Sequence, residues 1–298
     1  MHSPATYFFE LLLSGLASGS LYALIALGFV LIYKGTGIMN FAQGEVIMVP
    51  ALLAFFLITR FGLSVWAACL IAVASAFLLG LLTERLILRP MLGEPVFSVV
   101  MVTIGLSIFL RGVAGIFFGH ENKVFPSPFP AEPLRMGPVV LSHTQLWTMA
   151  VAFGLMLLFL LFFRTSRVGL AMRATANDQH TACLMGISIE RVFALTWGLS
   201  FAIAGLAGIF LANVMVLNVG LTAAAVSAFP AVVLGGLESI PGAILGGLAI
   251  GVIENLAGGY LDEMLGGGVK DVTPFVVLFL ILMVRPYGLF GQKEVERV

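Results

Sequence analysis

The chain alternates long apolar runs with short polar breaks, and the length of each run limits what it can form. A helix needs about 20 apolar residues to cross a hydrocarbon core about 30 Å thick. Runs of that kind cover Phe8 to Tyr33, Ile38 to Ile58, Leu63 to Leu82, Val96 to Phe118, Leu146 to Phe163 and Val192 to Val216. Pro274 to Val284 is short for a crossing and needs to extend past Arg285. Leu221 to Ala257 is longer than one crossing, and "GGLESIPG" at Gly235 to Gly242 interrupts it, which predicts two short helices meeting at a break. The pattern predicts an all-α polytopic membrane protein with about eight to nine transmembrane helices, some of them short or broken.

Composition agrees. Hydrophobic residues make up 60% of the chain and charged residues 10%, against roughly 25% charged in a soluble domain. Basic and acidic residues balance at 15 each, so no overall basic field draws the chain to nucleic acid. No Lys or Arg precedes the first apolar run, so that run lacks the charged start of a cleavable signal peptide and is expected to remain as a span. Cys69 in an apolar run and Cys183 in a polar loop have neither metal-ligand spacing nor a disulfide framework, and both read as small packing residues.

Basic residues in short loops set orientation, because an excess of Lys and Arg stays in the cytoplasm. The richest loop carries Arg164, Arg167, Arg173 and Arg191. With that loop inside, Lys34, Arg85, Arg89 and the tail with Arg285, Lys293 and Arg297 also fall inside, provided the Gly-rich region makes two crossings. Arg60, Lys123, Arg135 and Lys270 fall outside, and Arg111 lies within a span. About nine crossings, with the N-terminus outside and the C-terminus inside, are preferred on this ground over eight. The stretch Gly119 to Thr144 contains "FPSPFPAEPLRMGP", whose prolines forbid a regular helix and favour an extended outer loop. It reads equally as a connector or as part of a docking surface.

Motifs for covalent chemistry are missing. "GGGVKDV" at Gly266 to Val272 does not supply the Gly-x-x-x-x-Gly-Lys-Ser/Thr spacing that cradles phosphates. His2, His120, His143 and His180 are scattered without ligand spacing, and no Gly-x-Ser-x-Gly elbow occurs. Neither an enzyme, a metal site nor a cofactor bound by this chain is expected.

Polar groups inside the apolar runs are the candidates for function, since an uncompensated charge at membrane depth costs about 2.5 to 3.5 kcal/mol. "GTGIMNFAQGEVIM" at Gly35 to Met48 holds Asn40, Gln43 and Glu45. Asn40 followed three residues later by Gln43 predicts a helix start, with Asn40 as the cap and Gln43 reaching back to it. On a helical wheel Asn40 and Gln43 share a face, assigned to a translocation cavity, whereas Glu45 points nearly opposite and is assigned to an interhelical contact. Asn213, Asn218 and Glu254 are further polar candidates for the pathway. Arg111 divides between substrate contact, snorkelling and an interhelical pair.

Glycine supplies the second signal. Gly15 with Gly19, Gly242 with Gly246, and Gly247 with Gly251 each form Gly-x-x-x-Gly, which lets helix backbones approach closely. The break also holds Gly235, Gly236 and Glu238, and interrupted helices at membrane depth point to a transport site. One interruption lies in each half, at Gly35 to Glu45 and at Gly235 to Gly242, which suggests a weak two-half repeat.

The third signal is "TSRVGLAMRATANDQHTACLMGISIER", Thr165 to Arg191, in which apolar residues interleave with polar ones. It predicts one or two short amphipathic helices that bind either the membrane interface or a partner protein.

Together, "GLASGSLYALIALGFVLIYKGTGIMNFAQGEVIM", "RATANDQHTACLMGISIER" and "LGGLESIPGAILGGLAIGVIEN" resemble the LivH-type permease of bacterial branched-chain amino acid ABC importers. The resemblance runs from about Gly15 to Gly291 and includes the closing "VRPYGLFG". It implies a single permease domain over residues 1–298 in the inner membrane, with a coupling segment at about 165–191 and an external loop at about 119–145. It also implies a LivM-like permease partner, two cytoplasmic ATPases that hydrolyse the ATP, and a periplasmic amino-acid-binding protein. Ala182-x-x-x-Gly186 is similar to the Ala-x-x-x-Gly core that docks into the ATPase, with Arg173 and Asn177 on one face of the preceding helix. The acid usual before that core is replaced by His180 and Thr181. Relatives that carry urea or short amides form the alternative within the class. A self-sufficient ion-coupled carrier, with Glu45 and Glu254 as coupling sites, forms the alternative outside it, and the amphipathic docking segment argues against that reading.

Overall fold

The computed structural model describes residues 4–130, 132–136, 139–285 and 287–291. Eleven α-helices account for most of them. Seven are long and apolar enough to cross a membrane: α1 (Pro4–Thr36), α2 (Gln43–Phe61), α3 (Val65–Thr83), α4 (Val96–Phe118), α5 (His143–Thr165), α8 (Ile189–Val214) and α10 (Ile240–Leu265). Two shorter apolar helices, α9 (Ala223–Gly235) and α11 (Val269–Val284), complete the hydrophobic set, and α6 (Arg167–Asn177) and α7 (Gln179–Leu184) form the polar segment between α5 and α8. The architecture is that of an all-α, multi-pass membrane protein.

The chain divides into two compact units. One comprises residues 31–128 and 154–225, the other residues 1–30, 129–153 and 226–298. The units are interleaved along the chain, and α1, α5 and α9 each run from one into the other.

In the unit of residues 31–128 and 154–225, α8 packs against α2 and α3, and small residues set the approach. The buried residues of α3 are Ala68, Ala72, Ala76, Gly80 and Thr83, and the first four recur every fourth residue along one stripe. A Cβ on Gly80 would stand 2.8 Å from Gly198 Cα, and one on Gly205 of α8 would stand 2.9 Å from Pro50 Cγ of α2. Leu70, Leu78 and Leu82 on the remaining surface of α3 stay exposed. In hydrocarbon, apolar surface brings no helices together, so close backbone contact at small residues supplies the attraction.

In the unit of residues 1–30, 129–153 and 226–298, the predicted Gly-x-x-x-Gly pairs mesh. Gly15 and Gly19 of α1 meet Gly247 and Gly251 of α10: a Cβ on Gly15 would stand 2.8 Å from Val252 Cα, and one on Gly19 2.9 Å from Leu248 Cα. Gly242 and Gly246 serve a second contact, against Gly235 and Ala231 of α9. The closing residues return to this corner, where Leu289 donates its N–H to Leu234 O at 2.8 Å.

Four boundaries differ from the sequence expectation. The second span begins at Gln43, not near Ile38, and runs on to Phe61, where Gly62 at φ 63° closes it. The break after Gly235 is present, but the helix that follows is a full span of 26 residues rather than a short one, capped by Ser239 on the Gly242 amide. α11 does not continue past Arg285. It gains length at its start and ends at Val284, where the Arg285 amide still bonds Ile281 O. The Pro-rich loop is extended as expected but also carries a small hairpin, β1 (Leu134–Met136) paired antiparallel with β2 (Val139–Leu141).

Candidate functional site

The polar break before α2 folds into a clasp instead of a capping box. The Ala42 amide donates to Asn40 Oδ1 at 3.0 Å, closing an Asx turn, and Asn40 Nδ2 donates to Gln43 Oε1 at 3.1 Å. The residue at the helix cap is Ala42, with no side-chain cap bond. The cap thus falls two residues after Asn40, the position expected from the sequence, because an Asn can bond the amide two residues on as readily as it can cap. Asn40 and Gln43 are both buried, and Gln43 Nε2 meets no partner among the described residues.

Glu45 lies in a different contact, between helices. Its Oε1 accepts from Arg111 Nε at 3.1 Å and from Arg111 Nη2 at 2.6 Å, and Nη2 also donates to Thr222 Oγ1 at 3.3 Å. Glu45 is buried, whereas Arg111 keeps 52% of its side-chain surface exposed. Three elements are pinned here: α2, α4 and the short 3-10 turn Val219–Thr222 that leads into α9. Gly44 permits it, since a Cβ there would stand 3.1 Å from Thr222 Cβ. Of the readings for Arg111, the geometry selects the interhelical pair.

Asn213 and Asn218 stand apart from that cluster. Asn213 Nδ2 bonds back to Ile209 O at 2.9 Å, while its Oδ1 is buried without a partner among the described residues. Asn218 caps the 3-10 turn through the Gly220 amide and donates to Asn122 Oδ1 at 2.7 Å.

The other unit holds the second polar group. Glu254 is buried on α10, where Oε1 accepts from the Tyr22 hydroxyl at 3.3 Å and lies 4.0 Å from Lys270 Nζ. Lys270 Nζ also donates to Asn255 Oδ1 at 3.3 Å. This buried acid thus has an ammonium and a phenol beside Oε1, while its Oε2 meets no hydrogen-bond partner among the described residues. Gly235, Gly236, Gly242 and Gly246 surround the break as backbone contacts, with Gly236 at φ 93°. Glu238 sits exposed within the break.

The segment between α5 and α8, expected as one or two short helices, forms two, α6 and α7. Ser166 caps α6 through the Gly169 amide at 2.8 Å, and Gly169 packs so closely on the end of α5 that a Cβ would overlap Phe163 Cα at 2.8 Å. Ala182 is buried, and Gly186 follows α7 at φ 84° with open space around it. Leu184 and Met185 between them are exposed at 76% and 79%. Arg173 and Asn177 both lie on α6, four residues apart. The Arg173 side chain turns back, donating to Arg164 O at 3.3 Å with its guanidinium 5.7 Å from the Phe163 ring centroid, and Asn177 is exposed.

An acid does serve this segment, upstream of His180. Asp178 caps α7, accepting from the Thr181 amide at 3.0 Å and its hydroxyl at 2.7 Å. The Thr181 hydroxyl, then its amide, hold the Asp178 carboxyl below its ordinary range. Asp178 was legible as a cap by its residue type. Thr222, Tyr22 and Lys270 were not, because nothing in the linear chain places them beside Glu45 or Glu254.

Seven helices long and apolar enough to cross a membrane, with buried polar residues paired between them, define a polytopic membrane protein. Residues 11–284 match the family described as branched-chain amino acid transport system / permease component. The chain is 37% identical over 309 residues to the high-affinity branched-chain amino acid transport system permease protein BraD of Pseudomonas aeruginosa, with 98% of each chain covered. It is also 37% identical over 315 residues to LivH of Salmonella typhimurium, a permease protein of the same description, covering 100% of both. In fold it is similar to PsaBC from Streptococcus pneumoniae in complex with Fab, at TM-score 0.53 and 16% identity over 95% of this chain and 94% of that one. The chain belongs to the branched-chain amino acid transport permease family.

Proposed function

We propose that this chain is the membrane-spanning permease subunit of an ATP-binding-cassette importer that carries branched-chain amino acids into the cytoplasm. The observation that carries the reading is the full-length match to branched-chain permeases. The segment α6–α7 supports it: two capped helices end at Gly186 beside an exposed apolar pair, a shape suited to insertion into a partner.

In this reading two cytoplasmic ATPases hydrolyse ATP, a periplasmic binding protein delivers the substrate, and a LivM-like permease forms the other half of the membrane core. The chain acts as one permease domain in the inner membrane, N-terminus outside and C-terminus in the cytoplasm, and itself binds no cofactor. ATP-driven closure moves the docking segment, and the spans rock between outward-open and inward-open states. Asn40, Gln43, Asn213, Asn218 and Glu254 supply polar partners for a zwitterion. The interrupted backbone at Gly235, Gly236, Glu238, Gly242 and Gly246 supplies the deformable joint.

The test is uptake into proteoliposomes by the purified complex, with leucine, isoleucine, valine, urea and a neutral amide compared. ATP-dependent uptake of the three amino acids is expected. Uptake of urea or the amide alone would move the chain to another branch of the class, and uptake driven by an ion gradient without ATPases would overturn the reading.

A further inference from the structure

α3 does not end as an ordinary helix. Glu84–Leu88 forms a π-helical turn, followed by the 3-10 turn Arg89–Met91. Pi turns are rare and concentrate at functional positions. Here the wide turn has a defined result. On an α-helix at about 100° per residue, two residues five apart point in well-separated directions. The i to i+5 bond stacks them, and that bond is the Arg89 amide donating to Glu84 O.

With the two residues stacked, their side chains meet as well. Arg89 Nε donates to Glu84 Oε1 at 3.3 Å and Nη2 to Glu84 Oε2 at 3.1 Å. Glu84 is buried, with 1% of its side chain exposed. The remaining nitrogen, Nη1, donates to Glu190 Oε2 at 2.8 Å. Glu190 stands in the first turn of α8, where the helix dipole favours an acid. One guanidinium therefore joins the end of α3 to the start of α8, and its planar fork fixes both carboxylates at once.

The start of α8 is also the end of the docking segment. Only Met185, Gly186, Ile187 and Ser188 separate α7 from the helix carrying Glu190. A displacement of α7 therefore reaches Glu190 within a few residues, and Arg89 passes it to the buried Glu84. Beyond that point α3 and α8 touch backbone to backbone at Gly80 and Gly198, so the pair moves as a block.

We propose that Arg89 is a relay between the docking segment and α3, a positioning residue that couples ATP hydrolysis in the partner subunits to movement of the spans through Glu190 and Glu84. This rests on the importer reading above. Glu190 is the place to test it, because its side chain is 60% exposed and its removal leaves the buried Glu84–Arg89 pair intact.

The experiment compares the reconstituted wild-type complex with Glu190→Gln, Glu190→Asp and Arg89→Lys, reading substrate imported per ATP hydrolysed together with the thermal midpoint of the complex. Glu190→Gln is expected to keep its thermal midpoint and its ATP hydrolysis while import per ATP falls about fivefold or more, the scale of an ordinary coupling energy. Glu190→Asp should recover part of the loss. Arg89→Lys should lose coupling as Glu190→Gln does, since an ammonium lacks the fork. Unchanged import per ATP in Glu190→Gln would overturn the relay, as would hydrolysis and import falling together with the thermal midpoint. Wild-type complex without ATP-driven import would instead overturn the importer reading, and the relay with it.

Discussion

Arg111 Nη2 lies 2.6 Å from Glu45 Oε1, joining α4 to α2 at a carboxylate that is 1% exposed. Arg111 is half exposed, so the pair is asymmetric: the acid depends on the base more than the base on the acid. Arg111→Ala should destabilise the protein by about 3 kcal/mol, at the low end of the cost of stranding a buried charge. Adding Glu45→Gln to that variant should recover part of the loss, because the stranded group is then neutral. Denaturant-induced unfolding in detergent micelles checks both, and additive losses in the double variant would exclude the pairing.

Gly251 tests the packing of α10 on α1. A Cβ there would run into the backbone of Gly19, so Gly251→Leu should cost about 1 to 3 kcal/mol or more through overpacking. Gly105→Leu on α4 is the control, since a Cβ at Gly105 meets nothing within 4 Å. Equal unfolding midpoints for the two variants would count against the interlocked glycines.

Gly186 tests docking. Open space surrounds it, so the bulk of Gly186→Trp should leave the permease inserted at wild-type abundance. Its φ of 84° adds a local cost of about 1 to 2 kcal/mol for any L side chain. ATP-dependent uptake should be abolished by Gly186→Trp and only reduced by Gly186→Ala, as measured by radiolabelled leucine uptake at matched membrane abundance. Full uptake by Gly186→Trp would remove this turn from the docking surface.

Asp178 carries a pH dependence. Its carboxyl is lowered by the Thr181 hydroxyl and amide, so the cap favours the folded α7 whenever Asp178 is ionised. That stabilisation is complete above the unfolded value of about 3.9 and is lost as pH falls through the lowered folded value. Amide exchange in α7 should therefore be slow and steady from pH 7 down to about 4, after allowance for intrinsic exchange rates, and protection should drop below it. Asp178→Ala should lack that protection at every pH. A flat protection profile through the acid range would show that the cap does not hold the helix.

Hydrophobic run length found six of the seven long spans, since a helix in hydrocarbon must satisfy its own backbone and must be long enough to cross; the seventh, α10, was expected as a short helix and is a full span. The break at Gly235 and the short helical segment between α5 and α8 were legible for a related reason: glycine conformation and cap chemistry act within a few residues. Asn40 shows where local reasoning fails. Its side chain had two local partners to choose from, the helix amides or the Ala42 amide, and the choice followed from where α2 starts.

The sequence by itself determined that this chain is a multi-pass α-helical membrane protein, that Gly15, Gly19, Gly247 and Gly251 are helix contacts, and that Glu45 and Glu254 need partners. It carried the family resemblance in its motifs. Only the tertiary structure decided which partners those are: Arg111 and Thr222 for Glu45, Tyr22 and Lys270 for Glu254, Glu84 and Glu190 for Arg89. The reason is range. Propensity, capping and membrane length act over a few residues or one helix, whereas the charge that satisfies a buried acid comes from whichever helix packs beside it, up to 232 residues away in the chain.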